Sequence, residues 1–481
     1  MDFDQGLDTP TCGQPTEPCK TLRIAVSRAQ HKSTIHIQGN QYLDATIQID
    51  KSLTIQGTNI SSIAPLNRQE SVYAFDFQLL KISINVCFVS IYFDRIGLLA
   101  VDQGLKRSIS IVINNCYFNE GMRYDVDQDV DCMIESDAEK GSIGIEIKNT
   151  SFVSIEQCLF DVVTPTKVLS ITDTTFRRVG RIKLTRVNNL LLTNATFNGV
   201  EDAEIKLVGK TPAFIIYKCK IENVPYFEIE TSRNSPTNIN ISGTIVFDSA
   251  IDFLGSKDDQ VHVSNCTFGN KKKFEFALSI SNTHDGPVYM TDILCQGIRY
   301  GCLTVYNGRN FSIRRSAFRF NDGPSLYIAS STVSIENCSF VKNSASSGGA
   351  VSVDSSNVHI IRSIFSDNDA HLNGGALYAF GGATVKVTQS AFYGCSANSG
   401  GAITIKDGTL VVEGSILKEN SAAVAAGGIY VIRKITNKVS ITIRDTALVN
   451  NSAAQLDIRA ANILLQNVTI SATSISSHHH I

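Results

Sequence analysis

No uninterrupted apolar run of about 18 residues occurs in the chain, so nothing in it reads as a helix that spans a bilayer. An excess of positive charge is missing too. The 43 Lys and Arg against 45 Asp and Glu leave a formal net charge of −2, which offers no basic footprint to nucleic acid or to an anionic membrane. None of the 12 cysteines forms a Cys-x2-Cys pair, which argues against a structural zinc site. The opening Met1-Asp2-Phe3-Asp4 is acidic and lacks the apolar core of a signal peptide. It is expected to be either the start of a chain kept inside the cell or a mature segment with an added Met. His478, His479 and His480 read as a clipped purification tag and are set aside from function.

What is present is a repeat. Gly348-Gly349-Ala350, Gly374-Gly375-Ala376, Gly400-Gly401-Ala402 and Gly427-Gly428-Ile429 recur every 26 or 27 residues. Between them runs a second signature. Cys338-Ser339-Phe340 leads to Asn343, Ser363-Ile364-Phe365 to Asn368, Ser415-Ile416-Leu417 to Asn420, and Thr446-Ala447-Leu448 to Asn451. Ser390-Ala391-Phe392 leads to Cys395 in place of Asn, and Ser316-Ala317-Phe318 with Asn321 fits the same frame. A fixed period of this kind marks a stacked architecture. A solenoid also explains how 481 residues avoid splitting into about three ordinary domains.

Strand alternation sets the physics of one coil. Residues i and i+2 share a face, so the small residue and the Phe or Leu two places on both point inward. Val333-Ser334-Ile335, Val385-Lys386-Val387 and Ser440-Ile441-Thr442-Ile443 read as half-buried strands, and helical periodicity is absent. The Asn is expected in a left-handed turn with its amide bonded to the Asn of the next coil, and the Gly pair in a tight corner. Upstream, Asn115-Cys116-Tyr117-Phe118, Gln157-Cys158-Leu159-Phe160, Asn194-Ala195-Thr196-Phe197 and Asn265-Cys266-Thr267-Phe268 carry the same small-x-Phe step at scattered spacing. Thr21 to Ala29 reads as a short amphipathic helix that caps the first coil. The expected fold is therefore all-β, a single-stranded right-handed parallel β-helix with an N-terminal capping helix. Its cap spans 1–34 and its solenoid 35–473, with irregular coils to about 310; a disordered tail covers 474–481.

The Gly-Gly-Ala-[Ile/Val/Leu] and Phe-x-x-Asn signatures of residues 318–451 resemble the passenger repeats of chlamydial polymorphic outer-membrane proteins. That resemblance implies a β-helical adhesin. It does not extend to a terminal barrel of alternating strands, and the chain has no Trp. The stretch Cys12-Gly13 … Pro18-Cys19-Lys20-Thr21-Leu22, followed by Ile35-His36-Ile37 … Gly39 … Tyr42 and Lys51-Ser52-Leu53-Thr54-Ile55-Gln56-Gly57, resembles the first coils of pectin-lyase-like extracellular proteins. Many of these cleave polysaccharides. The hydrolases among them need carboxylates gathered on one coil face beside a His and a cation. Their Asn-Thr-Asp, Asp-Asp and Gly-His-Gly motifs do not occur together here. Asp258-Asp259 with His262 is a fragment, and Arg181-Ile182-Lys183 matches that family's tripeptide but precedes Asp258. No catalytic residue is assigned.

Other sites are read residue by residue. Asp125, Asp127, Asp129 and Asp131 form either a solvated acidic side loop or a weak Ca²⁺ site; Val130 stands where an EF-hand needs Gly. Apart from that calcium, no cofactor is expected. Cys12 with Cys19, and Cys295 with Cys302, share a Cys-x6-Cys spacing compatible with disulfides. Cys116, Cys158, Cys266 and Cys338 are expected as free thiols packed in the inward column. Asn59, Asn149, Asn194, Asn240, Asn265, Asn310, Asn337, Asn450 and Asn467 satisfy Asn-x-Ser/Thr. The expected function is non-enzymatic adhesion, or glycan or surface binding, at the cell surface or outside the cell, with glycans or another surface protein as partners. A divergent polysaccharide lyase or hydrolase is the alternative.

Overall fold

Alternation of apolar and polar residues, broken by corners where one residue turns left-handed, produces the whole architecture. The computed structural model describes residues 2, 5–58, 61–66, 73–77, 80, 82–101, 106–120, 132–138, 141–207, 213–231, 237–255, 258–269, 276–281, 286–432, 439–453 and 463–466. The chain is an all-β parallel β-solenoid with, among the described residues, one short helix, Leu22–Arg28. Thr21 caps that helix, its side chain accepting from the Ile24 amide, and Leu22 and Val26 are the buried face. Two compact units divide the chain, Met1–Thr237 and Asn238–Ile481.

One coil shows the rule. Strand Thr332–Glu336 points Val333 and Ile335 inward. Asn337 follows with φ +53° and redirects the chain. Cys338 then enters the core, and strand Ser339–Val341 buries Phe340. Lys342 (φ +52°) makes the next corner and Asn343 turns inward, fully buried. After Ser344–Ser347, Gly348 (φ +64°) leads into strand Val351–Asp354.

The equivalent letters of successive coils do touch. In the second unit Phe318, Phe340, Phe365, Phe392, Leu417 and Leu448 pair in register. The first four rings stack with centroids 4.9, 4.6 and 4.5 Å apart. In the first unit Phe93, Phe118, Phe152, Phe176 and Phe197 do the same at 4.6, 4.6, 5.2 and 4.7 Å. Each pair adds offset-stacking energy to the burial of two rings.

The small inward residue is small for a reason beyond volume. The hydroxyls of Ser363, Ser390 and Ser415 each donate to the carbonyl two residues back, at 2.9 Å. The same hydroxyls accept an amide from the preceding coil at 3.1 Å. A buried corner amide is thereby satisfied without water.

Three expectations need correction. The Phe-x-x-Asn asparagines are not the left-handed residues; that role falls to Phe320, Lys342, Asp367, Glu419 and Asn450, one place earlier. The Asn is the inward residue, and its amide does bond coil to coil: Asn321 to Asn343 at 3.0 Å, Asn343 to Asn368 at 2.9 Å, Asn420 to Asn451 at 2.8 Å. Second, Gln157-Cys158-Leu159-Phe160 is not the small-x-Phe step of its coil. Thr150-Ser151-Phe152 is, and Phe160 pairs with Ile134 and Ile182 in another strand column. Third, Cys158 is not free; it bonds Cys132.

The glycine pair divides its labour. Gly348, Gly374 and Gly400 adopt φ near +65°, a region that penalises a side chain. The second glycine answers a close approach: a Cβ on Gly349 would lie 2.2 Å from the Asp369 carbonyl oxygen and 2.3 Å from that of Gly375.

Candidate functional site

In the second unit, the strand that follows each glycine corner presents one residue outward between two core residues. Strands Leu303–Tyr306, Leu326–Ala329, Val351–Asp354, Leu377–Phe380, Ile403–Lys406 and Ile429–Ile432 stack in register. Their outward residues make one row: Thr304, Tyr327, Ser352, Tyr378, Thr404 and Tyr430. Tyrosines thus alternate with small hydroxyl residues, coil by coil.

The row has a defined surface. Ser352 and Thr404 face outward yet are 6% and 0% exposed, while the tyrosines beside them stay half-buried. Thr404 Oγ1 donates to the Ser399 carbonyl at 2.9 Å. Thr304 Oγ1 is buried without a hydrogen-bond partner. Further rings widen the strip. Tyr306 meets Tyr327 edge-on at 5.8 Å, and Phe380 stacks on Tyr378 at 5.1 Å.

Burial raises the phenol pKa of Tyr327, Tyr378 and Tyr430. Asp407 and Asp354 push Tyr378 further the same way. These phenols therefore stay neutral around pH 7, as donors and acceptors at the rim of flat apolar rings. Such a strip offers flat apolar faces edged by neutral hydroxyl donors and acceptors.

The first unit carries a different row in the strand after its second corner. Glu135, Asp161, Lys183, Glu204 and Glu228 succeed one another in register. Tyr73 donates to Glu135 at 2.6 Å, Arg181 lies 3.6 Å from Asp161, and Lys206 pairs with Glu230 at 2.8 Å. Asp161 Oδ1, Asp202 Oδ1 and Arg181 Nε are buried atoms without hydrogen-bond partners. Arg181 and Lys183 of the Arg-Ile-Lys tripeptide thus face a carboxylate row, with Ile182 in the core. Asp258, Asp259 and His262 belong to the second unit. Asp258 is exposed and Asp259 is buried. His262 sits in the column of Asn240 and Tyr289, apart from the tyrosine row, its ring 5.0 Å from that of Tyr289.

The remaining candidates fall as follows. Disulfides join Cys12 to Cys19 and Cys295 to Cys302. Cys116, Cys266 and Cys338 are buried free thiols, each pushed up to about 11 by desolvation. Asn149, Asn194, Asn240, Asn265, Asn310, Asn337 and Asn450 are exposed. Five of these, Asn149, Asn194, Asn265, Asn337 and Asn450, occupy left-handed corners, which Asn tolerates better than most residues. Asn59, Asn467, the aspartates at 125, 127, 129 and 131, and the tail 474–481 lie outside the described residues. Among the described residues, no group of three or more His, Cys, Asp or Glu could hold a metal ion, and no helix is long and apolar enough to cross a membrane.

Stacked parallel strands, left-handed corners and inward ladders define a right-handed parallel β-helix protein. Residues 301–440 match the family model described as a right handed beta helix region. No curated protein matches the chain.

The tyrosine row escaped the sequence reading, although a signal existed. The residue two places after each Gly-Gly-Ala, and its counterpart Tyr430, reads Ser352, Tyr378, Thr404, Tyr430.

Proposed function

We propose that the protein is a non-enzymatic extracellular or cell-surface β-helix that binds glycans, or a glycan-bearing surface, through its lateral face. The observation that carries this reading is the row in which Tyr327, Tyr378 and Tyr430 alternate with buried hydroxyl residues. Aromatic platforms on a rigid sheet bind with little loss of side-chain freedom. Three disulfides support an oxidising compartment, and seven exposed Asn-x-Ser/Thr asparagines support glycosylation on secretion. The fold supports a place among pectin-lyase-like proteins. A glycan array probed with the whole chain and with Tyr378→Ala and Tyr430→Ala tests the reading. Signals should fall about tenfold in the variants; an array on which neither change alters any signal rules the row out as the binding surface. Intact mass of the secreted protein tests glycosylation directly.

A second reading, a divergent polysaccharide lyase or hydrolase, draws on the first unit, where Lys183 stands between Asp161 and Glu204 on one row and Arg181 lies 3.6 Å from Asp161. Incubation with uronic-acid and neutral polysaccharides should release no new reducing ends or unsaturated products under the first reading. Products that disappear in Asp161→Asn would establish the second.

A further inference from the structure

Spacing and charge along the tyrosine row specify more than a sugar. Tyr327, Tyr378 and Tyr430 stand on every second coil. Adjacent parallel strands lie about 4.8 Å apart, so the platforms repeat at roughly 9.6 Å. A ligand that uses all of them must be straight over that distance and must repeat with it. An extended β-1,4-linked glycan does both. Successive sugars are flipped, so the same ring face returns every second residue, at about the spacing of two coils. An α-1,4-linked glycan coils away from a straight row.

Charge narrows the class. Among the described residues of the coils between Tyr327 and Tyr430, the partly exposed charged residues at the strand ends of the row are Asp354 and Lys406. A uronate or sulfate on every sugar would meet one carboxylate and one cation there, with no excess of cations among the described residues of the row to hold it. Small, largely buried hydroxyl residues separate the platforms and leave the tyrosine rings and their phenols as the contact surface. Neutral hydroxyl-rich sugars suit that lining.

Resting on the glycan-binding reading above, we infer that the row from Thr304 to Tyr430 selects a neutral, extended β-1,4-linked glycan, each tyrosine taking every second sugar.

The test uses the intact chain and β-1,4-glucan oligomers of two to six sugars. The same measurements are made with an α-1,4-glucan hexamer and a hexameric oligogalacturonate. Absence of Trp leaves tyrosine emission as a direct readout, with calorimetry alongside. Affinity should rise in steps, about fivefold at three sugars and about fivefold again at five, as a second and a third platform engage. Tyr378→Ala, which removes the middle platform, should erase the gain at three sugars and leave a single gain at five, while Tyr378→Phe, which keeps the ring and the fold, stays within about twofold. The α-linked hexamer and the oligogalacturonate should bind at least about tenfold more weakly.

Oligogalacturonate bound as tightly, in a Tyr378-dependent way, overturns the neutral class and leaves the row as a glycan site. A smooth rise with length overturns the two-coil period. No binding of any oligomer, with array signals also indifferent to Tyr378→Ala and Tyr430→Ala, removes both readings.

Discussion

The corner after the phenylalanine strand is built alike in the two units and filled differently. In both, a left-handed residue precedes an inward one: Arg95, Arg178 and Gly199 in the first unit, Lys342, Asp367 and Glu419 in the second. The inward residue is Ile96, Val179 and Val200 in the first, but Asn343, Asn368 and Asn420 in the second, all buried. Backbone geometry thus tolerates either chemistry. An apolar corner accepts any neighbour that fills the space. An asparagine corner must have its amide paired, because a buried amide left unpaired costs about 1–3 kcal/mol, and each one draws on the backbone of the coil before it: Asn420 Oδ1 accepts from the Cys395 amide and Nδ2 donates to the Phe392 carbonyl. Where a second Asn follows, its side chain adds one more bond from coil to coil.

Four experiments would break or sharpen that contrast. The largest effect is expected for Asn368→Ala. Asn368 Oδ1 accepts from the Asn343 backbone amide at 3.1 Å and from its side-chain amide at 2.9 Å, and Nδ2 donates to the Phe340 carbonyl at 2.9 Å. Removing them together should destabilise the protein by about 4 kcal/mol, read by denaturant unfolding. A loss under about 1 kcal/mol would mean that the ladder is incidental.

Removal of the Cys132–Cys158 bridge comes next. It closes a separation of 26 residues, for which chain entropy gives about 3 kcal/mol. The Cys132→Ala/Cys158→Ala protein should exchange amide hydrogens faster in residues 1–237, with the second unit unchanged. Val200→Asn should cost less, roughly 2 kcal/mol, because a polar amide replaces a buried apolar side chain and the Val179 side chain in the neighbouring coil adds no hydrogen bond to it. If Val200→Asn proved neutral in denaturant unfolding, the apolar corner would not be apolar in the sense used here.

The smallest effect runs the other way. Cys395 interrupts the ladder: its backbone amide donates to Asn420 at 3.0 Å, while Asn368 Nδ2 reaches only its sulfur, at 3.9 Å. Cys395→Asn should complete the row and stabilise the fold by about 1 kcal/mol. It should also remove one alkaline liability. Burial pushes the Cys395 thiol up to about 12 from an ordinary 9.0. A raised pKa means that the unfolded chain releases the proton first. The contribution to stability is therefore intact below pH 9 and is lost as pH rises from 9 toward 12. Denaturation midpoints measured from pH 8 to 11 should fall less steeply in Cys395→Asn than in the parent.

The same contrast explains what the sequence revealed. Where Asn stacks on Asn, the letters recur, and the coils from 318 to 451 are readable at sight. Where Val and Ile interchange and coil lengths vary, as from Thr150-Ser151-Phe152 to Gln157-Cys158-Leu159-Phe160, a decoy step eight residues away has the same small-x-Phe pattern. Only strand register separates them. The left-handed positions are not legible in the sequence because the conspicuous Asn lies one residue after them, whereas Lys342, Asp367 and Glu419 leave no compositional mark. The tyrosine row stayed hidden because its period is two coils, twice that of the motifs used to find the repeat.

The left-handed corners of the second unit have a practical consequence. Lys342, Asp367 and Glu419 keep their φ angles in spite of unrelated side chains, so the scaffold fixes where each points and is indifferent to what it is. The native free thiols, apart from the half-buried Cys87, are buried. A cysteine installed at any of these corners would meet a maleimide first, and successive corners would carry probes at intervals of about 4.8 Å, a molecular ruler graduated by the chain itself.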